Sequence, residues 1–135
     1  MPEKHGYKRE NTSPPLEISS VPDGAESLVL LMDDPDAREP AGKIWDHWTA
    51  WNIDPSKTEI GEGESIGVEG ITDFGSQGYG GPNPPDGTHT YRFRVYALDT
   101  ELELDSDSTK ADVIAEMEGH VLEKAQLEGK YDPVE

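Results

Sequence analysis

The 135-residue chain contains no cysteine. That excludes a thiol nucleophile, a redox pair, a Cys-ligated zinc and a disulfide-built secreted scaffold, and it points to a reducing, cytoplasmic setting. Long apolar runs are lacking as well. The longest, Leu-Val-Leu-Leu-Met at 28–32, holds five residues, whereas a bilayer span needs about 20 and the apolar core of a signal peptide about 7–15. No integral membrane association and no export signal are expected. Basic side chains are scarce: 11 Lys and Arg stand against 29 Asp and Glu, a net charge of −18 with histidine neutral. Phosphate backbones require a basic face, so nucleic acid is excluded as a partner. An acidic face repels anionic bilayers for the same reason.

What the chain does contain fits one folded domain, 1–135. Three Trp, five Tyr and two Phe fall mostly in strand-like segments, which separates the chain from acidic disordered sequences. Residues 99–135 hold twelve acids and three bases, half of the net charge; the rest is spread along the chain. A spread surplus of Asp and Glu suits the cytoplasm of a salt-accumulating halophile, where molar salt screens self-repulsion.

Residues 1–12 carry Lys4, Lys8 and Arg9 and lead into Ser13-Pro14-Pro15, which predicts an extended arm. A short half-buried strand follows at 16–19, then a turn at 21–24. Residues 27–32 are too continuously apolar for a strand with one wet face and predict a central strand packed on both sides. Asp33-Asp34-Pro35-Asp36 ends it. After a polar loop through Arg38, Pro40, Gly42 and Lys43, residues 46–53 resume strand composition, with His47, Thr49 and Trp51 expected on one face. Nine of the fourteen glycines lie between Glu59 and Gly87, so this stretch is mostly loop, with at most one short strand near 66–68. Residues 89–99 alternate cleanly and place His89, Tyr91, Phe93, Val95 and Ala97 on one face. Thr109 and Asp112 form a capping-box pattern, and Val113, Met117, Val121 and Ala125 recur at four-residue spacing, predicting one helix over 109–129. Strands followed by a late helix argue an antiparallel β-sandwich with a C-terminal helix packed on it.

Four histidines are present. His5 in the arm and His120 on the predicted helix read as ordinary surface or boundary residues. His47 and His89 each stand near the start of a strong strand, beside aromatics. They meet in one pocket if their strands are neighbours; otherwise they cap strands. Asp34 and Asp36 flank a rigid Pro35 and are either an acid–base pair or turn formers. No His-x-x-x-His or similar spacing supports a metal, and no cofactor motif is readable. The glycines and prolines of 78–87 suit either a backbone cradle for an oxyanion or a stiff connector.

Six ordered segments carry a family resemblance: Ser-Pro-Pro-Leu-Glu-Ile at 13–18, Ser-Leu-Val-Leu-Leu-Met-Asp-Asp-Pro-Asp-Ala at 27–37, Trp-Asp-His-Trp at 45–48, Trp-Asn-Ile at 51–53, Gly-Tyr-Gly-Gly-Pro at 78–82 and Pro-Pro-Asp-Gly-Thr-His-Thr-Tyr at 84–91. Together they resemble the phosphatidylethanolamine-binding protein family in its compact prokaryotic Raf-kinase-inhibitor-like branch, over nearly the whole chain. The resemblance implies an antiparallel β-sandwich with a small anion pocket at one end. The residues it implies for that pocket are Asp34, Asp36, Trp45, His47, Gly81, Pro82, His89 and Tyr91. It also implies phosphate-type head groups as ligands, and inhibition of kinases or proteases through surfaces nearby.

Three departures stand out. The family's Asp-Pro-Asp-Ala-Pro is Asp-Pro-Asp-Ala-Arg here, with the next proline at Pro40. Its His-Arg-Tyr is His89-Thr90-Tyr91, and the cysteine of Gly-Pro-Cys-Pro-Pro is Asn83.

The function expected is binding of a small phosphate or carboxylate head group by a monomer or homodimer. In it His47, His89, the Gly81 amide and the Tyr91 hydroxyl meet the ligand, Trp45 forms an apolar wall and Asp34 orients an imidazole. Arg38 and Lys43 are candidates for a positive mouth. Two alternatives belong to other classes: a protein partner, protease or kinase, that the chain inhibits, and an enzyme using the Asp/His set. The enzyme is less favoured, because no nucleophile with an adjacent base is readable.

Overall fold

Eight consecutive residues, Ser27–Asp34, form a strand in which every side chain is buried. The computed structural model describes residues 1–38 and 42–133. Alternation splits this strand between two cores. Leu28, Leu30 and Met32 pack with Trp48, Ile53, Tyr91 and Phe93 on one side. Val29 and Leu31 pack with Trp51, Leu98, Val113 and Met117 on the other. Two buried faces are why the run is continuously apolar.

The strands are β1 (Leu16–Glu17), β2 (Ser27–Asp34), β3 (Trp45–Ile53), β4 (Glu59–Ile60), β5 (Val68–Glu69), β6 (His89–Leu98) and β7 (Val121–Tyr131). Five of them form an antiparallel sheet in the order β5-β3-β2-β6-β7, and β1 pairs with β4 in a separate antiparallel sheet. Leu16 from β1, Ile60 from β4 and the nearby Ile18 and Val21 cover the first core. Helix α1 (Lys110–Met117) closes the second through Val113 and Met117. The protein is therefore mainly β, with antiparallel sheets and one C-terminal helix. The expected face of β6 is seen in the burial of His89, Tyr91, Phe93 and Ala97. Residues 46–53 and 66–68 coincide with β3 and, approximately, β5. Pro40 lies outside the described residues.

Two elements differ from expectation. The capping box forms as read, with the Thr109 amide donating to Asp112 Oδ2 at 3.0 Å. The helix nonetheless ends at Met117, and Gly119 at φ +84° turns the chain back. Residues 121–129, predicted as its second half, belong instead to the edge strand Val121–Tyr131 paired along β6. The segment 1–12 is not an extended arm. Glu3–His5 is a 3-10 turn, and His5 is buried with Nδ1 2.7 Å from the Thr12 carbonyl. The Tyr131 hydroxyl donates to the Glu3 carbonyl and the Tyr79 hydroxyl to that of His5, which docks the segment against the body. His120 follows the helix and is exposed, with Nδ1 2.8 Å from Asp99 Oδ1.

Candidate functional site

Because neighbouring strand residues point to opposite faces, the doublet at the end of β2 sends its carboxylates apart. Asp33 goes to the helix side, where Arg92, Arg94 and Lys110 meet it. Asp34 goes to the other side, and its Oδ2 lies 2.5 Å from His89 Nδ1. The Asp34 Oδ1 accepts the Asp36 amide at 2.9 Å, while Asp36 Oδ2 accepts the Thr90 amide at 2.8 Å. The Asp-Pro-Asp turn is thereby pinned to the start of β6, and the His89 ring is fixed by a carboxylate itself held in place.

His47 reaches the same place by a break in the strand. Met32 pairs with Trp48 and Asp33 with Asp46, which leaves His47 as an extra residue in β3. Such a bulge shifts the phase of alternation and re-aims a side chain. The expected shared face of His47, Thr49 and Trp51 is thus corrected. Thr49 and Trp51 belong to the helix side, opposite and around Leu31, whereas His47 packs edge-on to Tyr91 at 5.1 Å and to Phe74 at 5.3 Å between ring centroids. His47 Nδ1 lies 2.7 Å from the Gly80 carbonyl. A carbonyl only accepts, so Nδ1 carries the proton and Nε2 of the neutral ring is an acceptor.

Between the two imidazoles, at the end of the sheet, is a cavity of about 260 Å³. Asp34, Trp45, His47, His89 and Tyr91 of the expected set line it. Asp36, Gly81 and Pro82 do not. Asp36 holds the Thr90 backbone as described, and Pro82 gives its carbonyl to the Tyr7 amide. The Gly81 amide donates to Asn11 Oδ1 at 2.7 Å and is not free for a ligand. Glycine is needed there for close approach, since a Cβ would stand 2.0 Å from the His5 carbonyl oxygen. Gly81 and Pro82 thus hold the N-terminal segment.

Ala37, Phe74, Asn83 and Pro85 complete the lining. Phe74 stacks flat on Tyr7 at 4.4 Å and meets Trp45 edge-on at 5.8 Å. It sits in a glycine-rich loop without periodicity, which gave no signal. Asn83 and Pro85 belong to the glycine–proline loop that the sequence did single out. Asp86, in the same loop but with no role assigned from the sequence, places Oδ1 2.6 Å from His89 Nε2. Of the two candidate mouth cations, Lys43 is committed to Asp73 at 2.8 Å. Arg38 is exposed and adjoins the lining residue Ala37.

The two histidines are tuned in opposite directions. Burial pushes the His47 pKa below its ordinary value, against the opposing pull of the Gly80 carbonyl and the Asp34 charge. Burial acts the same way on His89, but the hydrogen bonds and charges of Asp34 and Asp86 outweigh it and raise the pKa. Followed by NMR, His89 is expected to titrate above about 6.5 and His47 below it. Linkage gives each a sign. His89 stabilises the fold fully below about pH 6.5, a contribution lost as pH rises through its raised value. His47 contributes stability above about 6.5, lost as pH falls through its lowered value. Coincident titrations would contradict this asymmetry.

These features define a β-sandwich with a histidine–aspartate cavity at one sheet end. The family model described as phosphatidylethanolamine-binding protein matches residues 1–132, and the chain belongs to that family. It is 45% identical to a UPF0098 protein of Methanothermobacter thermautotrophicus, the match covering 97% of this chain and 89% of the relative. A solved structure of a phosphatidylethanolamine-binding protein homologue from Chlamydia trachomatis superposes with a TM-score of 0.91 at 38% identity, covering 96% of this chain and 87% of that one. The E. coli protein YbcL, whose structure is described as that of a new member of the mammalian family, gives 0.89 at 32% identity, covering 100% and 91%.

Proposed function

We propose that the cavity binds a small oxyanion, a phosphate or carboxylate head group. One observation supports this reading above the others: a carboxylate-held, proton-rich His89 and a neutral, proton-poor His47 face one cavity across the Tyr91 ring. His89 supplies charge and a donor. His47, with Nδ1 used by Gly80, supplies an acceptor at Nε2. The pair therefore suits an oxyanion that still carries one proton, such as a phosphomonoester. Trp45, Phe74 and Tyr91 give the head group an apolar surround in which a charge-assisted hydrogen bond is stronger than in water.

Calorimetric titration with inorganic phosphate tests the reading. Hydrogen bonds to charged groups contribute about 1.5–3 kcal/mol, so His89→Ala is expected to weaken phosphate binding by about tenfold to a hundredfold. A His47→Ala, His89→Ala protein is expected to bind none and to stay folded. Wild-type affinity is expected to fall as pH rises through the raised His89 pKa. A His89→Ala protein that binds phosphate as tightly as the wild type refutes the reading.

A further inference from the structure

His89 is held by two carboxylates of unequal standing. The Asp34 side chain is 4% exposed and its second oxygen is tied to the Asp36 amide. The Asp86 side chain is 50% exposed, and its contact with His89 Nε2 is its one side-chain hydrogen bond among the described residues. Asp86 also sits in a bend, 85–87, whose Gly87 has φ +146° and nothing within 4 Å of where a Cβ would stand. The turn tip has room to move. The position Asp86 occupies is the donor that an external oxyanion needs, because Nδ1 of His89 is already used by Asp34.

We infer that Asp86 is an internal ligand: its carboxylate fills the anion position at His89 Nε2, and an external oxyanion binds by displacing it. This rests on the reading of the cavity as an oxyanion site. Two physical consequences follow. The pair is half open to solvent on its Asp86 side, so it is weak and displacement is cheap. A carboxylate on a short tether nevertheless competes at an effective concentration on the order of millimolar. Bare oxyanions at lower concentration are shut out. An oxyanion bearing an apolar or aromatic body gains extra contact with Trp45, Phe74 and Pro85, and so overcomes the competitor. Asp86 thus sets a threshold, which head groups with an apolar body attached pass at lower concentration than bare oxyanions do.

The test titrates wild type, Asp86→Ala and Asp86→Asn with inorganic phosphate and with phenyl phosphate at fixed ionic strength. Both variants are expected to bind inorganic phosphate about twofold to sixfold tighter than wild type. Phenyl phosphate is expected to gain by the same factor, because an internal competitor weakens every ligand that must displace it equally. Melting curves check that the variants remain folded, as a half-exposed turn residue should allow. If wild type binds phosphate and both variants bind it equally or less tightly, the internal-ligand inference is overturned while the oxyanion reading stands. If none of the three proteins binds either probe, both are overturned.

Discussion

Replacing Asp33 by alanine is expected to cost about 3–5 kcal/mol of stability, the range for breaking a buried ion pair by deleting one partner. Its side chain is 0% exposed and receives Arg92 Nε at 2.8 Å, Arg92 Nη2 at 3.0 Å, Arg94 Nη2 at 2.9 Å and Lys110 Nζ at 3.1 Å. Lys110 also meets Asp46 at 2.5 Å. One carboxylate therefore ties β2 to β6 and to the first turn of α1, and its loss leaves Arg92, Arg94 and Lys110 crowded together, with Lys110 still paired to Asp46. Burial alone would raise the Asp33 pKa, but Arg92, Lys110 and Arg94 hold it below the ordinary value. The contribution is present above about pH 3.8 and disappears as pH falls through the lower folded-state value. Urea unfolding at neutral pH, repeated near pH 3, checks both parts. A cost under about 1 kcal/mol at neutral pH would show the cluster to be no more than a surface network.

The sequence carried half of this arrangement. Residues 27–32 announced a strand buried on both sides, and the alternation of β6 placed His89 and Tyr91 together on one face. The same alternation puts Arg92 and Arg94 on the opposite face, where they need a buried acid. Consecutive aspartates after a buried strand can serve both faces at once, but the Asp-Pro-Asp pattern points only to Asp34 and Asp36, so the role of Asp33 emerges from the fold. The bulge at His47 left no trace in composition, since an extra residue shows only against the register of a partner strand. Strand β7 was hidden for another reason. Leu122, Glu123, Lys124, Ala125 and Gln126 favour helix, and the four-residue spacing of Val113, Met117, Val121 and Ala125 imitates a helical stripe. Val121 is in fact 43% exposed. The open edge of β6 offered backbone hydrogen bonds along its whole length, and tertiary pairing overrode propensity. The docking of residues 1–12 depends on hydroxyls of Tyr79 and Tyr131, far away in sequence, and no local pattern reports it.

Raising KCl from about 0.1 M to about 2 M is expected to raise the melting temperature by about 10 °C or more, because the range of charge repulsion shrinks from about 10 Å to about 3 Å by 1 M. The net charge of −18 is borne on a molecule with 7128 Å² of accessible surface, so unpaired acids lie within range of one another at low salt. Several of the basic residues are already engaged with acids, at Lys4–Glu62, Lys43–Asp73 and Lys57–Glu64 and in the Asp33 cluster. These pairs weaken on adding salt, which opposes the expected rise. Exposed pairs contribute little each, however, and the buried cluster is screened least, so relief of the larger surplus decides the sign. On the proposed reading of the cavity, the same screening lets a small oxyanion approach it. A melting temperature independent of KCl would mean that the acid surplus is too dispersed to strain the fold, and would remove the argument for a high-salt origin.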